Sequence, residues 1–358
     1  MDHSILNDET YENFSRHIHG QVSEDRTPLN ASVEVTMRCN LRCQHCYIPL
    51  SQRAASHPDE LSLEEFRRIF SEFMDAGVFW LLLTGGEPLL RRDFLDIYDD
   101  AKQKGFIITL FTSGTLLNER IADHLAEYRP FAIEISLYGA TEETYERITG
   151  VKGSFNRCMQ GIKLINERDL PLKLKSPLMT LNAHELDSMI QFSESIGANF
   201  SFDPVINAGL DGDITQTRFR LSPEAIVEFE QHDERRAKTW PEKIASYEGK
   251  EINVPYMYTC GAGRKGFHMD AFGRLSMCIS ARPPSYDLRA GSFQEAWEEF
   301  FPKIINQEYH PDFKCVHCPL RMVCSQCPAM GLAEMGNTEV AVPFLCQLAH
   351  LRYEAFTK

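Results

Sequence analysis

The chain contains 358 residues, of which 43% are apolar and 25% charged, the ordinary balance of a globular protein that can bury a sizeable core. Its net charge of −14 argues against nucleic acid or an anionic membrane surface as a partner. No apolar run approaches the roughly 20 residues that cross a bilayer, and the polar start, MDHSILNDET, does not resemble a signal peptide. These features predict a cytoplasmic protein.

Short apolar segments alternate with amphipathic segments over residues 31–206. Strands are predicted at 32–37, 78–84, 106–112, 131–137, 172–178 and 199–205. Helices are predicted at 62–76, 93–104, 118–128, 141–168 with a break at 150–153, and 183–196. Strands that alternate with helices pair in parallel through right-handed crossovers, and both sheet faces are then covered. The pattern is compatible with a doubly wound sheet and with a partial (β/α) barrel.

Composition divides the chain into four predicted regions. A short N-terminal cap spans 1–30, the α/β region 31–206, a bridging region 207–255 and a C-terminal region 256–358. The bridging region contains a predicted helix at 222–238. The C-terminal region is rich in Cys, Gly and Pro with little periodicity, which is typical of a small domain stabilised by metal.

Eleven cysteines in a chain without a secretion signal point away from disulfides and toward metal or cluster ligation. The first group is Cys39, Cys43 and Cys46, spaced C-x3-C-x2-C directly after the first predicted strand. Three thiolates can bind three irons of a [4Fe–4S] cluster and leave the fourth iron open, as a catalytic site requires. The alternative is a zinc site in which His45 or a distant residue is the fourth ligand.

Cys158, in a predicted helix, is a buried thiol or a hydrogen-atom donor.

Two motifs in this order resemble those of the radical S-adenosylmethionine (SAM) superfamily. The first is C-x3-C-x-aromatic-C, with His45 in the aromatic position, and the second is Gly85-Gly86-Glu87-Pro88, which is similar to the family's GGEP motif. The resemblance implies a partial (β/α)6 TIM-type barrel in which the open iron binds the amino and carboxylate groups of SAM. It implies that Gly85, Gly86, Glu87 and Pro88 contact the methionyl amino group, and that the Glu87 carboxylate faces this ammonium. It also implies reductive cleavage of SAM to methionine and a 5′-deoxyadenosyl radical, with an electron donor such as flavodoxin or ferredoxin.

Further positions correspond to SAM contacts of the family. Ser113 stands where relatives often have Asn, and Ser136 matches a serine near the SAM ribose or carboxylate. An ordinary strand-end hydroxyl is the alternative for Ser136. Thr149 stands where many relatives carry a SAM-binding arginine, so the resemblance suggests Arg147 as a substitute.

The second cysteine group lies in the C-terminal region and consists of Cys260, Cys278, Cys315, Cys318, Cys324, Cys327 and Cys346. Seven thiols exceed what one zinc ion can bind and fit two four-iron clusters, one of them with a non-cysteine or open ligand. The spacing resembles the SPASM extension of radical SAM maturases, although the dense motif here ends in C-x2-C where that family has C-x3-C. The resemblance implies that Cys260, Cys278 and Cys327 hold one auxiliary cluster and that the other four hold a second. Zinc at the dense motif is the alternative.

Together the two groups predict an oxidative radical SAM maturase that acts on a ribosomally made peptide, with the auxiliary clusters accepting the surplus electron. Residues 1–30 are too short for the leader-binding module that such maturases often carry. The prediction is therefore either a separate leader-binding protein as a partner or a substrate without a leader. Asp203 and Asn207 are candidate substrate contacts or loop caps. The enzymatic alternative is maturation of a small molecule or cofactor precursor. The non-enzymatic alternative is an iron–sulfur electron carrier or a zinc-binding module.

Overall fold

The computed structural model describes residues 14, 15, 18, 20, 26–53, 57–247 and 249–357. Within these residues one nine-stranded sheet has the order β6-β5-β4-β3-β2-β1-β7-β8-β9. The strands are β1 Asn30–Thr36, β2 Trp80–Gly85, β3 Ile107–Thr112, β4 Ala132–Ser136, β5 Leu172–Pro177, β6 Asn199–Asp203, β7 Gly266–Met269, β8 Arg274–Ser276 and β9 Tyr286–Asp287.

Helices connect the parallel strands and continue beyond them. Those of the α/β region are α1 Leu63–Asp75, α2 Phe94–Gln103, α3 Glu119–Glu127, α4 Glu142–Thr149, α5 Ser154–Asn166 and α6 Leu186–Ser195. Those that follow are α7 Pro223–His232, α8 Glu234–Ala245, α9 over 293–305 with a π-helical segment at Ala296–Phe300, α10 Pro328–Met335 and α11 Pro343–Phe356. None of the described helices is long and apolar enough to span a bilayer.

Strands β1 to β6 pair in parallel and in chain order. A doubly wound sheet reverses its strand order at a switch point, whereas a (β/α) barrel adds strands in sequence. The sequential order therefore confirms the partial-barrel prediction. It also places the carboxyl ends of all six strands at one edge, where the active sites of such barrels are built.

The sequence explains how the helices cover the sheet. In α1 the Ser62 hydroxyl accepts from the Glu65 backbone, the Glu65 carboxylate accepts from the Ser62 backbone, and the two form a capping box. One face of α1 then buries Phe66, Ile69 and Phe73 in the main core. Burial of such an apolar stripe, more than helix propensity, stabilises the element.

The bridging and C-terminal regions differ from the sequence-based expectation in two places. The helix predicted over 222–238 is two helices, α7 and α8, which meet at Asp233, whose side chain accepts from the Arg236 backbone and starts α8. Strand β7 extends the barrel sheet by pairing in parallel with β1, and β8 and β9 follow antiparallel. The C-terminal region thus begins as a continuation of the barrel sheet.

Candidate active site

The loop that carries the first three cysteines follows β1 and rests on the C-terminal end of α4. The Arg42 backbone donates to the Thr149 carbonyl at 2.8 Å, and the Gln44 backbone donates to the Ile148 carbonyl at 3.0 Å. These bonds satisfy carbonyls that a helix end leaves without intrahelical partners. Helix α4 therefore fixes the cysteine loop at the mouth of the barrel.

The structure brings Cys39, Cys43 and Cys46 together in a poorly solvated position. Burial raises the pKa of Cys39 to about 12 and raises the pKa of Cys43 and Cys46 in the same direction. The Cys46 charge further raises the pKa of both Cys39 and Cys43, which places the three sulfurs within electrostatic range of each other. Buried thiols of this kind ionise only beside a cation, so the set suits an iron–sulfur cluster.

The Gly85–Gly86 turn packs directly against the start of the cysteine loop. The Gly86 backbone donates to the Thr36 carbonyl at 2.8 Å, and the Glu87 backbone donates to the Arg38 carbonyl at 2.8 Å. A Cβ atom at Gly85 would lie 2.2 Å from the Thr36 oxygen, and one at Gly86 would lie 2.3 Å from the Arg38 oxygen. Both glycines are thus required by the approach of one backbone to another, in addition to any approach to a ligand.

The structure places Glu87 behind the turn, fully buried, and not among the residues that line the cavity. Its carboxylate accepts from the Leu89 backbone at 3.2 Å, the Thr112 hydroxyl at 2.7 Å, and the Ser113 backbone and hydroxyl at 2.8 Å and 2.5 Å. Pro88 is also buried and starts a short 3-10 turn. Glu87 therefore connects the ends of β2 and β3 and acts on the site by positioning Ser113.

A cavity of about 650 Å³ opens between the cysteine loop and the carboxyl ends of the strands. The three thiols line it, as do Gly85, Gly86, Ser113 and Ser136. Arg147 does not: it is exposed and donates to the Leu181 carbonyl at 2.8 Å, because its position on α4 faces outward. Thr149 is buried and its hydroxyl is 2.8 Å from that of Ser154.

The sequence predicts some of the residues that line the cavity and misses others. Asp203 and Asn207, predicted at this mouth, do line the cavity. Tyr138 and Lys175 line it too but lie in no recognised motif. Lys175 Nζ is 3.4 Å from Glu134 Oε2, and burial lowers the pKa of Lys175 to about 7. The sequence signal that could have identified Lys175 is the strand alternation in LKLKSP, which puts Lys173 and Lys175 on one face.

His45 lies beside the thiols and packs against Tyr138, with ring centroids 5.0 Å apart and ring planes tilted by 57°. Burial, aided by the charge of Arg53, lowers the pKa of His45 to about 4, so its ring is neutral at physiological pH. Its Nδ1 atom is buried without a hydrogen-bond partner. Such an atom at the wall of a cavity fits a ligand with polar groups of its own.

The C-terminal cysteines fall into two neighbourhoods. Burial raises the pKa of Cys278 and Cys327, and the Cys260 charge adds to both shifts. The other set is Cys315, Cys318, Cys324 and Cys346. Burial raises the pKa of Cys315 to about 11 and also raises the pKa of Cys324. The charges of Cys346 and Cys318 add to both shifts. Ile279, next to Cys278, lines the barrel cavity, so the first neighbourhood borders it.

Among the described residues, no three or more His, Cys, Asp or Glu side chains form a group that could hold a metal ion. In a four-iron cluster each thiolate binds a different iron, so the ligands stand farther apart than the four ligands of one zinc ion. Cysteine-only sets of three and four, in which the charge of one sulfur acts on the next, have the donor chemistry of iron–sulfur clusters. The residues present fit that group.

The fold and the site define a partial parallel barrel with a cluster-type cysteine loop at the carboxyl ends of its strands. Residues 33–193 match the family described as the Radical SAM superfamily. This part of the chain is therefore a radical SAM domain, and that superfamily uses a [4Fe–4S] cluster together with SAM.

Relatives of known activity match most of the chain. The subtilosin biosynthesis protein AlbA of Bacillus subtilis is 29% identical over 85% of this chain and 68% of its own length. An AdoMet-dependent heme synthase of Methanosarcina barkeri is 26% identical over 85% of this chain and 92% of its own. A PqqA peptide cyclase of Rhizobium meliloti is 29% identical over 91% of this chain and 88% of its own.

Solved structures confirm the fold. Streptococcus suis SuiB bound to its precursor peptide SuiA matches with a TM-score of 0.69 and 17% identity, over 97% of this chain and 83% of that chain. The enzyme anSMEcpe with bound AdoMet matches with a TM-score of 0.66 and 17% identity, over 92% of this chain and 96% of that chain. The likeness extends through the cysteine-rich C-terminal region.

Proposed function

We propose that this protein is a radical SAM maturase that oxidatively modifies a ribosomally made peptide, forming a cross-link or another new bond at a C–H position. The observation that carries the proposal is the pair of cysteine neighbourhoods beyond the barrel, one of which borders the cavity. The similarity to AlbA and to a PqqA peptide cyclase over most of the chain supports a peptide as the substrate.

Within this proposal Cys39, Cys43 and Cys46 hold the SAM-binding cluster, and the Gly85–Gly86 backbone, Ser113 and Ser136 face SAM across the cavity. When bound, the cluster and SAM supply a 5′-deoxyadenosyl radical that removes a hydrogen atom from the substrate. The chain's own residues bind, orient and exclude water.

Removal of a hydrogen atom followed by bond formation leaves one electron that needs an acceptor. We infer that Cys260, Cys278 and Cys327 hold one auxiliary cluster near the cavity and that the remaining four C-terminal cysteines hold a second, outer one. A flavodoxin or ferredoxin would supply the reducing electron, and a separate protein would bind the peptide's leader. In this arrangement the inner set is the first acceptor because Ile279 brings it to the cavity wall.

The enzymatic proposal is tested by anaerobic reconstitution, addition of SAM and a strong reductant, and measurement of 5′-deoxyadenosine. The wild-type protein is expected to form it, and Cys39→Ala is expected to form none. Cys158→Ala is the matched control, because Cys158 is buried in α5 and outside every cysteine set. Equal product from wild type and Cys39→Ala would contradict the proposal.

The auxiliary clusters are tested by iron content. Three four-iron clusters require about 12 iron atoms per chain, and Cys278→Ala is expected to lower this to about 8 while SAM cleavage persists. Wild-type protein with about 4 iron atoms would remove the auxiliary clusters from the proposal and leave the barrel site intact.

Maturation of a small molecule or cofactor precursor is the second candidate. The observation that favours this second candidate is the match to an AdoMet-dependent heme synthase, which covers 92% of that relative. The test compares two kinds of substrate, peptides encoded beside the gene and iron–porphyrin precursors. The mass of each is measured before and after incubation with the enzyme. Modification of a peptide alone would support the first proposal, and modification of a porphyrin alone would replace it.

A further inference from the structure

Arg53 is a buried cation in the cavity wall without a partner for one of its donors. It ends the short 3-10 turn Leu50–Arg53 that follows the cysteine loop, and it is 8% exposed. Its Nε atom makes no hydrogen bond, and among the described residues no carboxylate forms an ion pair with its guanidinium. A buried guanidinium with an unsatisfied donor is costly, and an anionic ligand would remove that cost.

The guanidinium lies beside the metal-binding loop. Burial raises the pKa of Cys39, Cys43 and Cys46, and at each of the three thiols the charge of Arg53 acts in the opposite direction. Any anion that Arg53 binds inside the cavity is therefore held next to the cluster position.

The other basic side chains near the cavity are committed or exposed. Lys175 is engaged by Glu134 on the neighbouring strand. Arg235 lines the cavity but is exposed on α8. Arg147 lies outside the cavity, where it donates to a backbone carbonyl. Among the described residues Arg53 is thus the buried cavity cation that is left for a ligand.

We propose that Arg53 binds the carboxylate of the methionyl group of SAM, which makes it the carboxylate contact that Thr149 cannot supply. The inference rests on the proposed SAM site. A planar guanidinium can donate two parallel hydrogen bonds to a carboxylate, and this fork makes the contact strong and directional.

The test compares two ligands that differ in the amino-acid portion. S-adenosylhomocysteine carries the carboxylate, and 5′-methylthioadenosine keeps the adenosine and sulfur but lacks it. Calorimetry on anaerobically reconstituted protein is expected to show S-adenosylhomocysteine binding about 10- to 100-fold weaker in Arg53→Gln than in wild type. Binding of 5′-methylthioadenosine should be unchanged. Arg53→Lys should be intermediate, because it keeps the charge and loses the fork.

Arg147→Gln is the matched control and should bind S-adenosylhomocysteine as wild type does. Unchanged S-adenosylhomocysteine affinity in Arg53→Gln would overturn the inference. An equal loss of affinity for both ligands would also overturn it, because Arg53 would then act through the cluster or through the fold. Iron content reports the first of these effects, and the melting temperature reports the second. Wild-type protein that binds neither ligand would instead contradict the proposed function itself.

Discussion

At the scale of single residues, Glu87 shows how a motif identifies a position without revealing its task. The resemblance of Gly85-Gly86-Glu87-Pro88 to the GGEP motif predicts that Glu87 faces the ammonium of a bound SAM. Instead its carboxylate is fully buried and accepts from four donors on Leu89, Thr112 and Ser113. Since Ser113 also lines the cavity, Glu87 contributes to the site by holding that serine in place.

Replacement of Glu87 by Gln is expected to lower the free energy of unfolding by about 1–3 kcal/mol, because one acceptor oxygen becomes a donor that faces donors. Thermal or denaturant unfolding of the reconstituted protein measures the change. Glu228→Gln, at an exposed position of α7, is the control and should change stability by less than about 0.5 kcal/mol. A Glu87→Gln variant as stable as this control would show that the network is not energetically significant.

At the scale of elements, the site is assembled where three segments meet: the end of β1 with its cysteine loop, the turn after β2 and the end of α4. The turn and the loop approach so closely that there is no room for a side chain at Gly86. The position of the cysteines therefore depends on a backbone contact between two elements that are far apart in sequence.

Gly86→Ala is expected to displace this contact, because the added carbon would lie 2.3 Å from the Arg38 oxygen and 2.5 Å from the Met37 oxygen. Both are backbone atoms, so relief requires movement of the cysteine loop, with a loss of about 1–3 kcal/mol of stability. Iron content should fall by the share of one cluster. Gly20→Ala is the control, because no described residue lies within 4 Å of its added carbon. Full iron content in Gly86→Ala would contradict the close packing of turn and loop.

The sequence predicts elements whose signal is local and periodic. The six parallel strands and the helices between them follow from alternating apolar patterns, and the barrel mouth follows from strand order. The break between α7 and α8 was missed because Asp233 caps a helix inside a continuous amphipathic pattern. Strand β7 has only four residues, and its pairing with β1 joins residues more than two hundred positions apart. Arg53 lies in a turn without periodicity, so only the folded cavity reveals it.

At the scale of the whole molecule, buried ion pairs attach the cysteine-rich C-terminal region to the rest. Arg282 donates two hydrogen bonds to Glu34 on β1, at 2.8 and 2.6 Å, close to the barrel interior. Arg352 on α11 donates two to Glu230 on α7, both at 2.8 Å. These contacts fix the orientation of the region that supplies the auxiliary cysteines, including Cys346 on α11.

The Arg352–Glu230 pair gives a test of this attachment. Removing one partner leaves the other charged and buried, so Arg352→Met and Glu230→Leu are each expected to cost about 3–5 kcal/mol. The double variant should cost clearly less than the sum, because it leaves no unpaired charge and keeps a similar volume. Denaturant unfolding of all four proteins measures this coupling. Iron content should fall in the single variants, since Cys346 moves with α11, and recover in the double variant. Additive losses would show that the pair does not hold α11 against α7.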